Sequence, residues 1–188
     1  GAAPASTETV PYGVDVRRFA PDPAARAGVR ARYGLGDAPV VFSAGRLVSK
    51  KGFEGLIDAV ARVRQSVPGA RLLIAGDGDL REALTTRAAR LEQPVLVGNQ
   101  SQDAIARFAA AADVVAVPSV HDEAGNVDGL PNFALEAVAS GTPVVATTAS
   151  GLTPLIEDGV TGRQVPERDA AALAGAIETC ARASAGAS

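Results

Sequence analysis

Short unbroken runs of Val, Ile, Leu and Ala recur along this chain, separated by longer stretches with an apolar residue every three or four positions. An apolar run without polar alternation reads as a strand buried on both faces. By that criterion strands are predicted over residues 40–44, 71–75, 95–97, 114–117 and 144–147, with a weaker sixth near 162–165. The helical period predicts helices over 53–65, 80–91, 102–111, 131–140 and 169–183. Buried strands alternating with helices imply a parallel sheet covered on both sides, that is, a doubly wound α/β domain.

The opening residues break this rhythm. Small residues, prolines and Gly13 make the stretch up to Gly28 read as a linker or extended entry. Residues 1–20 are assigned to the linker and 21–188 to one Rossmann-like domain. With 188 residues, 47% of them hydrophobic and 21% charged, the chain can bury a full core. A net charge of −3 argues against a nucleic-acid partner. No apolar run approaches the roughly 18 residues of a membrane span. The single Cys180 excludes an internal disulfide and fits a reducing compartment. Methionine is absent, which suggests a fragment or processed piece, and lysine occurs only at Lys50 and Lys51.

In a doubly wound domain, ligands bind beyond the carboxyl ends of the strands, where strand order reverses. Gly45, Gly76 and Gly98 each follow a predicted strand there. Any one of them fits a tight turn; three in register point to a ligand approaching the backbone. The loop GRLVSKKG sets Arg46 and Lys51 at the same crevice, where they could converge on a diphosphate or form a solvated basic loop. Neither a Walker-type phosphate loop nor the six-residue dinucleotide fingerprint is present. The stretch DGLPNFALEAVASGT then places a turn at Gly129 before a helix opening on Pro131. Such an opening aims free N–H groups and a partial positive charge at an anion. Glu136 lies one turn past Asn132, placed to accept hydroxyl hydrogen bonds beside a phosphate; alternatively it is a solvated surface residue. His121, the only histidine, reads as a loop side chain or turn cap, or less simply as a catalytic group.

The segments GRLVSKKGFEGLIDAV, LLIAGDGDLREAL, ADVVAVPS and DGLPNFALEAVASGTPVVAT, in this order, resemble the C-terminal domain of group 4 glycosyltransferases. VPYGVDVRRF matches the entry to that domain and GVTGRQVPERDAAALAGAI its exit. The resemblance implies the donor-binding half of a GT-B architecture, with an N-terminal acceptor domain elsewhere. It implies that Arg46 and Lys51 hold the diphosphate and that Glu136 binds the ribose hydroxyls, as the second acid of a Glu-x7-Glu pattern. By spacing, Asp128 stands in for the first acid, which touches the donor sugar; Glu123 is the other acid nearby. Backbone N–H groups of Gly129, Leu130, Pro131's neighbours Asn132 and Phe133, and the loops at Gly76, Gly98 and Asn99, would line the donor. Arg46, Lys51 and Asp128 are the catalytic candidates.

The implied reaction is sugar transfer from a UDP- or GDP-linked donor to a polysaccharide, lipid or small-molecule hydroxyl. It is expected to retain configuration, to need no metal or cofactor, and to run in the cytoplasm or at the inner face of the membrane. A metal-free nucleotide-sugar epimerase, a non-catalytic nucleotide module and a dehydrogenase-type domain are the alternatives. Conversion without acceptor, inactivity with all donors, or nicotinamide binding would respectively mark them.

Overall fold

The computed structural model describes residues 13–93, 95–128, 131–152 and 155–186. Six strands form one sheet: β1 (Val40–Ala44), β2 (Arg71–Ala75), β3 (Leu96–Gly98), β4 (Val114–Val117), β5 (Val144–Thr147) and β6 (Gly162–Val165). Their order is β3-β2-β1-β4-β5-β6 and every pairing is parallel. The helices are α1 (Pro23–Arg32), α2 (Phe53–Ser66), α3 (Arg81–Ala88), α4 (Gln102–Ala111), α5 (Asn132–Ala139) and α6 (Ala170–Gly186). Strand order reverses between β1 and β4, so the crevice expected of a doubly wound sheet opens beyond their carboxyl ends.

The unbroken apolar strands resolve into two cores, because successive side chains leave opposite faces of the sheet. Val41 of β1 packs among Leu56 and Val60 of α2, Leu84 of α3 and Ile177 of α6. Val40 and Phe42 face the other way, among Val29 of α1, Phe108 of α4 and Ala134 and Ala137 of α5. The Phe42 ring stacks on Phe108 with centroids 5.1 Å apart and meets Phe133 of α5 edge-on at 5.4 Å.

The entry segment departs from expectation. Residues 1–12 of the expected linker lie outside the described residues, but residues 13–28 do not stay extended: α1 starts at Pro23, with the Asp22 carboxylate accepting from the Ala25 N–H at 2.9 Å. An Asp cap followed by proline at the first helical position is a recognised start signal. It is masked here because α1 buries little apolar surface and docks through its arginines. Arg26 and Arg30 each reach Asp113 at 2.6 Å, and Asp113 also accepts from the Val40 N–H at 2.7 Å. Packing extends further back still, since Phe19 is buried.

Other boundaries shift by small amounts. The last turn of the helix expected to reach residue 91 tightens into a 3-10 turn, Ala89–Leu91. Asp169 is the cap of α6 rather than its first residue, accepting from the N–H groups of Ala171 and Ala172. Pro131 precedes α5, which opens at Asn132. Gly98 closes β3 instead of following it.

Candidate functional site

Beyond the carboxyl ends of β1 and β2 lies a cavity of about 510 Å³. Gly45, Arg46, Gly76, Asn99, Asn132, Phe133 and Glu136 all line it, as do Asp77, Gln100, Gln102 and Ile105. The structure thus brings together most of the residues singled out from the sequence. Gly129 and Leu130 lie outside the described residues. Gly98 is not part of the lining; it ends β3 with a φ of 74° and nothing near where a Cβ would stand. Gly76 serves the protein's own backbone: a Cβ there would stand 1.9 Å from the Gly45 carbonyl oxygen. The β1 and β2 loops can therefore close together into one wall only with glycine at this position.

Helix α5 reaches the cavity without a side-chain cap, as α2 and α3 also begin without one. Its first turn thus keeps backbone N–H groups available to a ligand. Asn132, Phe133 and Glu136 share the face toward the hollow, as the helical period requires. The edge contact of Phe133 on Phe42 pins this end of α5 to β1.

The charges divide into a free cation and a linked group. Arg46 is exposed, and its guanidinium pairs with no carboxylate among the described residues. Lys51 lies beside Gly45, just beyond the lining, with its ammonium 2.6 Å from Asp128 Oδ2. Lys50 approaches Asp128 Oδ1 at 3.4 Å, and the Ser119 hydroxyl donates to Oδ2 at 3.4 Å. Ser119 and Lys50 were not read from the sequence as site residues; nor were Gln100 and Gln102. The signal was position: each follows a strand at its carboxyl end, and the run Asn99–Gln100–Ser101–Gln102 is wholly polar.

Burial raises the Glu136 carboxyl above its ordinary value, an effect the Arg18 guanidinium partly offsets. A raised value in the folded state means protonation favours folding. That contribution is full below the ordinary value of 4.5 and is lost as pH rises through the raised one. Glu136→Gln is therefore expected to raise the thermal midpoint at neutral pH, with the difference vanishing as pH falls below 4.5. A midpoint unchanged or lowered at neutral pH would contradict this.

His121 and Glu123 stand apart. The His121 ring Nδ1 lies 2.8 Å from the Glu167 carboxylate, which also accepts the His121 backbone N–H, and Arg168 donates to the His121 carbonyl. These bonds hold the Glu167 carboxyl below its usual value. They tie the loop after β4 to the segment after β6, a structural role. Glu123 borders a separate groove with His121 and Arg168. The cavity thus takes neither residue, and of the two acids Asp128 is the one beside the lysines. A larger hollow, about 640 Å³, opens at the opposite end of the sheet. Its charged groups are already engaged: Arg26 and Asp113 pair with each other, and the Asp22 carboxylate caps α1.

A family model, glycosyl transferases group 1, matches residues 38–182. The chain belongs to this family. Over 177 residues it is 42% identical to the GDP-mannose-dependent alpha-(1-6)-phosphatidylinositol monomannoside mannosyltransferase of Mycolicibacterium smegmatis. That match takes in 92% of this chain and 46% of the relative. The chain is 35% identical to the alpha-D-kanosaminyltransferase of Streptomyces kanamyceticus, over 82% of itself and 39% of that enzyme. It therefore spans about half the length of the curated relatives it matches or less. Among solved structures, Anabaena HepE in complex with UDP superposes with a TM-score of 0.78 and 29% identity, over 90% of this chain and 46% of that one. The C-terminal domain of the group 1 glycosyl transferase LpcC from Francisella tularensis, 20% identical, shares the fold over 91% of this chain and 97% of its own, with a TM-score of 0.67. The doubly wound glycosyl transferase fold expected from the sequence is the one observed. No helix among the described residues is long and apolar enough to cross a membrane.

Proposed function

We propose that this chain binds the nucleoside-diphosphate-sugar donor of a retaining, metal-independent glycosyltransferase. The supporting observation is the cavity at the strand-order reversal, where an unpaired Arg46, the uncapped start of α5 and the half-buried Glu136 meet. In this reading Glu136 accepts the ribose hydroxyls, while Arg46, Lys51 and the first-turn N–H groups of α5 hold the diphosphate. As the bond to the sugar breaks, negative charge builds on the departing diphosphate. These preorganised donors stabilise that charge, the work a metal ion does in other transferases. Asp128 positions the sugar through a hydroxyl, and the polar run from Asn99 to Gln102 borders the base. GDP-mannose is the favoured donor, since the mycobacterial relative is named for it at 42% identity. An N-terminal domain would bring the acceptor, a lipid or polysaccharide hydroxyl, at the cytoplasmic face of a membrane or in the cytoplasm.

Calorimetric titration with GDP, UDP, GDP-mannose and UDP-glucose tests this. Binding in the unaltered chain is expected, with Glu136→Ala and Lys51→Ala each weaker by about 1–3 kcal/mol, the range for losing a charged hydrogen bond. Affinity unchanged in both variants would remove these residues from the site. Transfer to an acceptor by this chain alone is expected to be negligible, and robust turnover would overturn the division of labour.

A further inference from the structure

The two lysines of this chain, set against sixteen arginines, both lie on one carboxylate. Lys51 takes Asp128 Oδ2 at 2.6 Å and Lys50 takes Oδ1 at 3.4 Å; their side chains are 21% and 30% exposed, and that of Asp128 is 12% exposed. The proposed function requires Lys51 to reach a diphosphate, yet in the free protein its ammonium is engaged by Asp128. Drawing Lys51 away would strip a largely buried carboxylate of its closest counter-charge, which is strongly unfavourable. A second cation on the other oxygen changes that balance.

We propose that Lys50 is a positioning residue that retains Asp128 when Lys51 is drawn onto the diphosphate. The inference rests on the donor-binding reading above. Three features suit Lys50 to the task. Its carbonyl accepts the Val120 N–H at 2.9 Å, which fixes its turn to the segment after β4. Gly52, at φ 65°, lets that turn press on the Pro118 carbonyl, where a Cβ would come within 1.9 Å. Lys50 also stands outside the cavity lining. After the exchange, Asp128 keeps Lys50 on Oδ1 and the Ser119 hydroxyl on Oδ2. The carboxylate then holds its place for the sugar while Lys51 and Arg46 face the phosphates.

The test is a double-mutant cycle on GDP and UDP affinity, using Lys50→Met, Asp128→Asn and the double variant, with Lys50→Arg as the conservative replacement. Lys50→Met alone should weaken binding roughly tenfold, because Asp128 then has only Lys51 and holds it back. Adding Asp128→Asn should restore most of that loss, since the competitor for Lys51 is gone, and Lys50→Arg should stay near the unaltered affinity. If Lys50 merely adds positive charge, Lys50→Met will weaken binding by the same factor whether residue 128 is Asp or Asn, and the proposal falls. Unaltered chain that binds neither nucleotide overturns the donor-binding reading itself. Binding that depends on Glu136 but shows no coupling between residues 50 and 128 overturns only the role of Lys50. A fluorescence-detected competition at two salt concentrations gives a second readout: coupling between adjacent paired groups should persist in salt that screens a distant charge.

Discussion

Phe42→Ala is expected to lower folding stability by about 3–5 kcal/mol, the usual range for removing a buried aromatic ring. Phe42 is fully buried on β1, stacked on Phe108 and met edge-on by Phe133. Its loss opens a cavity between the sheet and two helices and deletes two ring contacts at once. In a domain of this size, the thermal midpoint should fall by roughly 10 °C. The effect should not stop at stability. Phe133 lines the candidate cavity three residues before Glu136, so an α5 freed from its ring contact positions both residues less well. Nucleotide affinity should therefore fall along with the midpoint, whereas Phe42→Leu, which refills much of the volume, should lose far less of either. A Phe42→Ala protein within about 1 kcal/mol of the unaltered one would show that this ring cluster does not hold α5.

Asp113→Ala should cost about 3 kcal/mol, by a different mechanism and at the other end of the sheet. One carboxylate, its side chain 11% exposed, takes Arg26 and Arg30 at 2.6 Å each and the Val40 N–H at 2.7 Å. Removing it leaves Arg30 with an unbalanced, largely buried charge and the Val40 N–H without its acceptor. The estimate sits at the low end of the range for broken buried pairs because Arg26 is about one-third exposed and can turn to water. Arg30 keeps the carbonyls of Gly36 and Ala38, so α1 should loosen rather than detach completely. The site lies at the opposite strand ends, and nucleotide affinity in the folded variant should stay unchanged. Stability lost with affinity retained, against both lost in Phe42→Ala, separates the anchor of α1 from the anchor of α5. Equal loss of affinity in the two variants would contradict that separation.

The same contrast explains what was legible in the residues alone. Four strands, β1, β2, β4 and β5, stood out because a strand buried on both faces is nearly all apolar, so even four residues such as Val114 to Val117 carry the signal. Helix α1 did not stand out, because it buries only Val29 and the small residues and prolines around it made the whole opening read as linker. What holds α1 is an acid 87 positions from Arg26, and no local window contains both. The glycines were only half legible. Their positions after β1 and β2 marked the crevice, but Gly76 is required by the Gly45 carbonyl, a neighbour 31 positions away.

For the site, chain order was enough to bring Arg46, Asn132 and Glu136 to one crevice, because parallel strands all deliver their loops to the same edge. The strand pattern, the fold class, the family resemblance and the location of that crevice were therefore properties of the sequence itself. The pairing of charges was not. Lys51 looked like a free cation and is held by Asp128; Lys50 carried no assignment and shares that carboxylate; Ser119 gave no sign of joining them. Such contacts depend on how closely the loops after β1 and β4 approach each other. That distance is set by the packing of the whole sheet, and tertiary structure alone decides it.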